Sequence, residues 1–224
     1  MNLTVTEFNE AYYDEHKAAG LDYLGHGWWQ QSYARMVLDS VAHAVSAPPR
    51  VVDLGCACGS ILMGFKEVGC QVWGCDVNGH MVDIGREHFK LDSREIWQAS
   101  ARDTGLNDGF LDVVHSAQVF EHLPEEVLPA VLTEIARIMK PEGRAFICLD
   151  AIKYGQRAED YAGDPTHITI RPIAFWEDLF MAHGFKFDTE GYERFTKSLH
   201  TVHEGGGNSF FKEYPNWTVF VLKR

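Results

Sequence analysis

The stretch Val51–Ser60 constrains the fold of this chain more than any other segment. A short apolar run, Val-Val-Asp-Leu, follows two prolines and leads into a turn with glycines at positions 55 and 59. Such a run suits a strand that is buried on both faces of a parallel sheet, and Ser60 can begin the helix that follows. The N–H groups at the start of that helix can bind an anionic group. The sequence therefore predicts a strand, a glycine turn and a helix that together can seat a ligand.

A second predicted strand, Gln71–Asp76, ends in a carboxylate. Asp76 lies about 20 residues after Gly55, a separation typical of sites in which an acidic side chain binds both hydroxyls of a ribose. An adenosine ligand is therefore expected at Asp76. Asp53 stands where a dinucleotide fingerprint would prefer glycine or an apolar residue. Its charge would repel a pyrophosphate but suits a ligand that carries an ammonium and a sulfonium.

The pattern from Val51 to Gly59 resembles the start of the cofactor site in class I S-adenosylmethionine-dependent methyltransferases, where two hydrophobic residues precede Asp-Leu-Gly-Cys-Gly-x-Gly. The resemblance runs from about Val51 to Gly184. It implies an α/β fold, a doubly wound, seven-stranded and mostly parallel sheet with helices on both faces, whose last two strands form an antiparallel hairpin. It also implies S-adenosylmethionine as the cofactor and S-adenosylhomocysteine as the product. Ala57 replaces the middle glycine, and we expect one added methyl group to be tolerated.

The resemblance assigns cofactor contacts residue by residue. Gly55, Cys56 and Gly59 would seat the methionine end, Asp53 would shape or contact it, and Asp76 would hold the ribose. The residues that would enclose the adenine and the sulfonium are Val77, Ser100, Ala101 and Gln118. A tyrosine ahead of the first strand often lies near the sulfonium in this family, which makes Tyr12 or Tyr13 a candidate. The alternative is that these aromatic residues pack a helix onto the sheet.

The candidate catalytic residues are two histidines. An alcohol or phenol acceptor must lose a proton, and a histidine can accept it near neutral pH. His122 and His167 both follow strands whose ends are expected to face the cofactor, and His167 is the first choice of general base. The alternatives are a structural hydrogen bond for His122 near a helix start and a loop-stabilising role for His167.

The same residues raise the question of a metal site. Two groups of O-methyltransferases in this family hold a divalent cation with Glu-x-x-Glu-His after the fourth strand: those of ubiquinone biosynthesis and those that methylate the 3′ ends of small RNAs. This chain has Gln118, Glu121 and His122 there, and His167 later. Because Gln118 removes the first carboxylate, the affinity for hard cations such as magnesium is lowered. We therefore expect no functional metal, with Glu121, His122 and His167 as the alternative site.

Composition narrows the classes of partner. The net charge of −12 argues against nucleic acid as the main partner, because that binding requires a basic surface. No apolar run approaches the roughly 20 residues that span a bilayer, and the N-terminus lacks the features of a signal peptide. Five cysteines, an odd number, fit reduced buried thiols better than a disulfide framework. We expect a cytoplasmic protein, without membrane association, that acts on a small molecule.

We expect one domain with two parts. Residues 1–47 would form an N-terminal helical cap or lid, with a helix that ends before Pro48, and residues 48–224 would form the cofactor-binding core. Loop insertions at 150–171 and 196–215 would form the acceptor side, the part of the site that binds the methyl acceptor. The later elements are predicted as a helix from Pro124 closed by Pro141 and Gly143, a strand at Arg144–Leu149, and final strands at Phe185–Phe195 and Asn216–Lys223.

These observations favour a methyltransferase that acts on a small-molecule acceptor, with oxygen favoured over nitrogen because of the histidines. Four alternatives remain open. An N-methyltransferase and a metal-assisted O-methyltransferase would use the same cofactor. A nucleotide-dependent oxidoreductase would share the strand, the glycine turn and Asp76, but should have glycine where Asp53 stands. A non-catalytic partner protein would bind the cofactor without turnover.

Overall fold

The computed structural model of this protein describes residues 23–25, 28–161, 164–204 and 217–224. The strands are β1 (Arg50–Leu54), β2 (Gln71–Asp76), β3 (Ile96–Gln98), β4 (Leu111–Ala117), β5 (Met139–Asp150), β6 (Lys186–Phe187) and β7 (Trp217–Lys223). The helices are α1 (Trp28–Val41), α2 (Ser60–Glu67), α3 (Gly79–Phe89), α4 (Leu128–Ile138), α5 (Ile173–Ala182) and α6 (Thr189–Glu204). Short 3-10 turns lie at Phe120–His122 and Ala158–Tyr161.

The strands form one sheet in the order β3-β2-β1-β4-β5-β7-β6. The pairs among β1 to β5 are parallel, and β7 pairs antiparallel with both β5 and β6. The predicted doubly wound, mostly parallel sheet of seven strands is therefore confirmed. The strand order reverses between β1 and β4, and ligands of open α/β sheets bind at such a point, outside the carboxyl ends of the strands.

Helices cover both faces of the sheet. On one face, α1, α2 and α6 pack against alternate residues of the central strands, among them Val51 and Val113. On the other face, α4 and α5 pack against the intervening residues, among them Val52 and Val114. Successive strand residues point to opposite faces, so a strand between two helical layers is apolar throughout. A polar side chain in the middle of β1 or β4 therefore lies in the core and needs a partner.

The predicted helix starts near the glycine turn are confirmed. The first turn of α2 begins at Ser60, directly after Gly59. The next helix, α3, has Asn78 as its N-cap, as predicted, and the Asn78 side chain accepts a hydrogen bond from the Met81 N–H (3.2 Å). Both helices thus begin just beyond the carboxyl ends of β1 and β2, where their first N–H groups face the crevice edge of the sheet.

The strand predicted at Phe185–Phe195 is wrong. Only Lys186–Phe187 is extended, and Asp188 then begins helix α6, accepting hydrogen bonds from the Gly191 N–H at Oδ1 and from the Tyr192 N–H at its carbonyl. Phe195 lies in the core four residues before Leu199, a helical rather than a strand spacing. The last two strands pair antiparallel, as predicted, but α6 occupies much of their connection. The loop predicted at 196–215 is therefore helical up to Glu204, and its remainder lies outside the described residues.

Two other predicted element boundaries differ from those in the structure. Helix α4 begins at Leu128 rather than Pro124, because Pro124 opens a turn in which its carbonyl accepts a hydrogen bond from the Val127 N–H (2.9 Å). The next strand, β5, begins directly after α4 at Met139, so Pro141 and Gly143 lie within the strand and do not close the helix.

All five cysteines are buried and none of them forms a disulfide bond, as expected for reduced thiols. Burial raises the pKa of the Cys56 thiol, which follows the first glycine of the turn, so this thiol stays protonated. Within the part of the chain that the structure describes, no helix combines the length and the apolar character needed to cross a membrane.

Candidate active site

The turn after β1 contains three residues with positive φ: Gly55 (75°), Ala57 (48°) and Gly59 (84°). A side chain at Gly55 would lie 2.3 Å from Val119 Cγ2, so packing as well as φ requires glycine there. Alanine at position 57 keeps the left-handed backbone, which costs an L-residue about 1–2 kcal/mol relative to its preferred conformation. The turn therefore retains its shape although alanine stands at the middle glycine position.

Asp76, at the carboxyl end of β2, ties this turn to the start of α3. The Ala57 N–H donates to its Oδ2 (2.8 Å), and the Asn78 N–H donates to its Oδ1 (2.8 Å). Burial raises the pKa of Asp76, while these hydrogen bonds oppose that rise. Each carboxylate oxygen can accept a second hydrogen bond, so Asp76 retains the capacity to accept from two ribose hydroxyls.

Asp53 lies in the core beneath the turn and has a buried partner. It stands opposite His115 of β4 in the sheet register, and its Oδ1 lies 2.7 Å from His115 Nδ1. The other ring nitrogen, His115 Nε2, lies 2.9 Å from the hydroxyl of Tyr33 on α1. None of the three is more than 3% exposed. Asp53 is therefore the end of a hydrogen-bonded chain that joins α1, β4 and β1.

The four residues assigned to the adenine and the sulfonium all follow the carboxyl end of a strand. Val77 comes after β2 and is exposed. Ser100 and Ala101 lie in a turn after β3, in which the Asp103 N–H donates to the Ser100 carbonyl (2.9 Å). Gln118 follows β4 with a positive φ of 55°. They lie along one edge of the sheet, the edge that carries the glycine turn.

Glu121, His122 and His167 come together at the carboxyl ends of β4 and β5. One potential ligand atom from each lies within 4.8 Å of those of the other two, and the two imidazole centroids are 4.6 Å apart. Glu121 Oε1 accepts a hydrogen bond from the Asp150 N–H (3.2 Å), whereas Oε2 is buried without a hydrogen-bond partner among the described residues. Buried polar atoms nearly always have partners, so this oxygen is a candidate ligand contact.

The loop after β5 fixes the tautomer of His122. The Thr166 hydroxyl donates its one proton to Asp164 Oδ1 (2.6 Å), so it can only accept from His122 Nδ1, 2.9 Å away. The Thr166 carbonyl lies 3.2 Å from the same nitrogen. His122 therefore carries its proton on Nδ1, and Nε2 presents a lone pair. The imidazole is held in one orientation by its hydrogen bond to Thr166, which is in turn fixed by Asp164.

Carboxylates surround His167. Its Nδ1 lies 3.8 Å from Asp150 Oδ2, and its Nε2 lies 3.8 Å from Asp164 Oδ2. Burial raises the pKa of Asp150 and, more strongly, that of Glu121, which rises to about 8. Burial also acts on Asp164, but hydrogen bonds from Thr166 outweigh it and lower the pKa of Asp164 to about 2. Asp164 is thus the member of this group most firmly held as an anion.

Comparison with known proteins decides the family. The family model for a methyltransferase domain matches residues 52–147, which contain the glycine turn, Asp76 and the strand and turn that carry Glu121 and His122. Residues 52–147 belong to a class I S-adenosylmethionine-dependent methyltransferase domain. The cofactor of this methyltransferase is accordingly S-adenosylmethionine, and the assignment of its contacts to the residues at the ends of β1 and β2 stays a prediction.

Relatives and solved structures are similar to this methyltransferase at low identity. The ubiquinone biosynthesis O-methyltransferase of Nitrosococcus oceani is 24% identical over 147 residues, which cover 59% of this chain and 61% of that protein. The chain thus matches less than two thirds of that relative's length. A methyltransferase structure from Archaeoglobus fulgidus, 19% identical, covers 96% of this chain and 100% of its own with a TM-score of 0.63. Phosphoethanolamine N-methyltransferase 2 of Haemonchus contortus, solved with S-adenosylmethionine, is 19% identical and covers 89% of this chain and 53% of its own, with a TM-score of 0.62.

The structure brings together most residues that the sequence predicted for the site. The glycine turn and Asp76 meet directly, and His122 and His167 meet at the neighbouring strand ends, while their individual roles stay predictions. Tyr12 and Tyr13 lie outside the described residues. The sequence reasoning missed residues that serve as partners: Tyr33, His115, Asp150, Asp164 and Thr166. An imidazole in the apolar run of β4 was the one available signal for His115, since a core strand rarely carries a polar side chain without reason.

Proposed function

We propose that this methyltransferase transfers the methyl group of S-adenosylmethionine to a hydroxyl group of a small-molecule acceptor, with His167 as the general base. The observation that supports this is the position of His167, whose ring nitrogens each lie 3.8 Å from a carboxylate oxygen at the carboxyl end of the sheet. A small molecule rather than a nucleic acid as acceptor, and a cytoplasmic location, belong to the same proposal; the net charge of −12 supports the first.

The chemistry requires alignment and the removal of one proton. Bound S-adenosylmethionine supplies a methyl group on a positively charged sulfur, so the protein mainly has to align the acceptor. A hydroxyl oxygen becomes a better nucleophile as its proton leaves, and an imidazole can accept that proton. The carboxylates of Asp150 and Asp164 would stabilise the imidazolium that forms at His167. A neutral amine needs no such base, so this arrangement favours oxygen over nitrogen.

The matched relatives support the same choice of atom. Their name, ubiquinone biosynthesis O-methyltransferase, indicates methylation of oxygen in those proteins. Because the match excludes more than a third of their length, we extend only the methylated atom, and not the acceptor, to this chain.

The test uses the full chain with methyl-labelled S-adenosylmethionine and a matched panel of phenols, alcohols and amines of similar size. We expect label in a phenol or alcohol and none in the amines. Label in amines alone would support the N-methyltransferase alternative. Binding of S-adenosylhomocysteine without turnover of any acceptor would support the non-catalytic partner. Calorimetric titration with nicotinamide dinucleotides should show no binding, as family membership implies.

Metal-assisted O-methylation is a second candidate, and the orphaned Glu121 Oε2 favours it. One carboxylate and two imidazoles form a donor set that suits zinc or another transition metal better than magnesium. His122 also makes the outer Nδ1–H hydrogen bond that metal-binding histidines usually make. A cation at this site would act as a Lewis acid toward the acceptor oxygen. His167 would then be a ligand rather than the base.

Direct titration separates the two candidates. A metal site predicts calorimetric binding of Zn²⁺ that Glu121→Gln weakens at least about tenfold, whereas the exposed neighbour Glu126→Gln leaves it unchanged. Gln118→Glu should increase the affinity for Mg²⁺, because it restores a hard carboxylate ligand. Full turnover after dialysis against a chelator would reject the metal and leave His167 as the base.

A further inference from the structure

We propose that Tyr33 and His115 are positioning residues for cofactor binding, which hold the Asp53 carboxylate in one orientation so that it attracts the cationic amino-acid end of S-adenosylmethionine. The three side chains form the buried chain Tyr33 Oη to His115 Nε2 (2.9 Å) and His115 Nδ1 to Asp53 Oδ1 (2.7 Å). This role depends on the cofactor that the family assigns, and not on the acceptor or on the base.

The hydrogen bonds determine where the protons lie. An ionised carboxylate can only accept, so the imidazole donates from Nδ1 to Asp53. A neutral imidazole then accepts at Nε2, which makes the Tyr33 hydroxyl the donor. Burial raises the pKa of Tyr33, so the phenol keeps the proton that it donates. The arrangement fixes one tautomer of His115 and leaves a full negative charge at Asp53.

Among the described residues, that charge has no lysine or arginine partner. His115 is the only basic side chain within salt-bridge distance of Asp53 among residues 23–25, 28–161, 164–204 and 217–224. The field of Asp53 nevertheless reaches the turn, because it contributes to the raised pKa values of Asp76 and Cys56. A cation bound above the turn would therefore be attracted by Asp53 and Asp76 together. S-Adenosylmethionine brings such a charge on its ammonium group.

A purely structural role explains the chain less well. β1 and β4 are mostly apolar around this chain, although Ser116 is also buried. Replacing both partners of a buried hydrogen bond by apolar groups of the same shape is often nearly neutral or stabilising. The three polar groups therefore contribute little to the stability of the fold, which suggests that they have another role. One such role is to orient the Asp53 carboxylate, which has no lysine or arginine beside it among the described residues. The rigid ring of His115 limits the rotamers of Asp53.

The test compares two ligands with the full chain: S-adenosylhomocysteine, which carries the ammonium, and 5′-methylthioadenosine, which lacks the amino-acid end. His115→Leu should weaken S-adenosylhomocysteine binding about 10-fold to 100-fold and methylthioadenosine binding less than about threefold. His115→Asn, which can still donate to Asp53, should restore most of the affinity. Tyr33→Phe should weaken S-adenosylhomocysteine binding about threefold, since it removes only the outer hydrogen bond.

The matched control is Phe146→Leu. The Phe146 ring stacks on His115 with centroids 5.9 Å apart, so this variant disturbs the same core without breaking the polar chain. At equal loss of stability in urea unfolding, it should not change the preference between the two ligands. Equal weakening of both ligands by His115→Leu, or the same selective loss in Phe146→Leu, would overturn the proposal. A wild-type chain that binds neither ligand would instead contradict the cofactor assignment.

Discussion

The crevice has two sides that differ in how their buried carboxyl groups are satisfied: the proposed cofactor side, at Asp53 and Asp76, and the proposed acceptor side, at Glu121 and Asp150. On the cofactor side, Asp53 accepts from a buried imidazole and Asp76 accepts from two main-chain N–H groups. On the acceptor side, Glu121 Oε2 and Asp150 Oδ1 are buried without a hydrogen-bond partner among the described residues. The cofactor side is therefore organised by the fold itself, whereas the acceptor side keeps polar atoms that a ligand can engage.

Ionisation follows the same division. On the acceptor side, burial raises the pKa of Glu121 to about 8, and the charges of Asp150 and Asp164 add to the rise. On the cofactor side, the main-chain hydrogen bonds oppose the rise at Asp76. The difference shows that main-chain hydrogen bonds partly offset the burial of the Asp76 charge, whereas burial dominates at Glu121. Asp164 resembles Asp76 in this respect, because hydrogen bonds from Thr166 keep its carboxylate ionised.

The largest expected effect lies on the acceptor side. His167→Ala should lower kcat about 10²-fold to 10⁴-fold, because a general base contributes that much to proton removal. The dissociation constant of S-adenosylhomocysteine should stay within about twofold, since a base that acts on the acceptor is not a contact of the cofactor. Steady-state kinetics and calorimetry provide the two measurements, with the exposed His88→Ala as the control. An unchanged kcat would remove His167 from the mechanism.

The next effect lies on the cofactor side. Asp76→Ala should weaken S-adenosylhomocysteine binding about 100-fold, because the ribose loses its acceptor and the N–H groups of Ala57 and Asn78 lose theirs. Asp76→Asn should lose about tenfold, since one acceptor oxygen remains. Calorimetry measures both, circular dichroism checks the fold, and the exposed Asp83→Asn on α3 should behave as wild type. Wild-type affinity in Asp76→Ala would contradict the ribose assignment.

A third comparison is between Glu134, whose carboxylate accepts several hydrogen bonds, and Glu121, which has one oxygen without a hydrogen-bond partner among the described residues. Glu134 accepts from the Thr104 N–H (2.8 Å) and hydroxyl and from Arg137, whereas Glu121 Oε2 accepts from no described residue. Glu134→Gln should lower the free energy of unfolding by about 2 kcal/mol at pH 7. Glu121→Gln should change it by less than about 0.5 kcal/mol or raise it, because Oε2 has no hydrogen bond to lose among the described residues and the amide removes a costly buried charge. Urea unfolding measures both, and equal losses would erase the contrast.

The effect of Glu134 also depends on pH. Burial alone would raise its pKa, but hydrogen bonds from Arg137 and Thr104 outweigh burial and lower the pKa from 4.5 to about 2. A group whose folded pKa is depressed contributes stability above its unfolded pKa and loses that contribution as the pH falls through its folded pKa. The difference between wild type and Glu134→Gln should therefore be constant above about pH 5 and shrink toward pH 2. A constant difference down to pH 2 would contradict the assigned cause.

The last prediction concerns how residue 57 of the glycine turn affects the free energy of unfolding. Ala57→Gly should raise the free energy of unfolding by about 1 kcal/mol, because glycine adopts a φ of 48° without the steric cost that alanine bears. Ala145→Gly, in the buried part of β5, should lower it by about 1 kcal/mol, since glycine weakens a strand interior. Thermal unfolding of the two variants tests the sign. A loss of stability in Ala57→Gly would mean that the turn is not strained by its alanine.

The parts of the site that could be predicted are those that depend on local chain geometry. Gly55, Gly59 and Asp76 were predictable, because a strand, a tight turn and a helix start impose fixed spacings on neighbouring residues. The helix α6 was not, because Phe185–Phe195 has enough apolar residues for a strand, and only the cap at Asp188 and the packing of Phe195 select the helix. Residue pairs such as His115 with Asp53, 62 positions apart, leave no local pattern.

From the sequence by itself came the resemblance to the family, the doubly wound sheet that this resemblance implies, and the set of candidate groups at the strand ends. These rest on local motifs and on side chains whose chemistry needs few neighbours. Only the tertiary structure decided which of those groups have partners: that Asp53 is joined to His115 and Tyr33, that Thr166 fixes the tautomer of His122, and that Glu121 retains an unsatisfied oxygen. Burial and hydrogen bonding are properties of distant residues brought together by packing, and they set the charge of each group in the site.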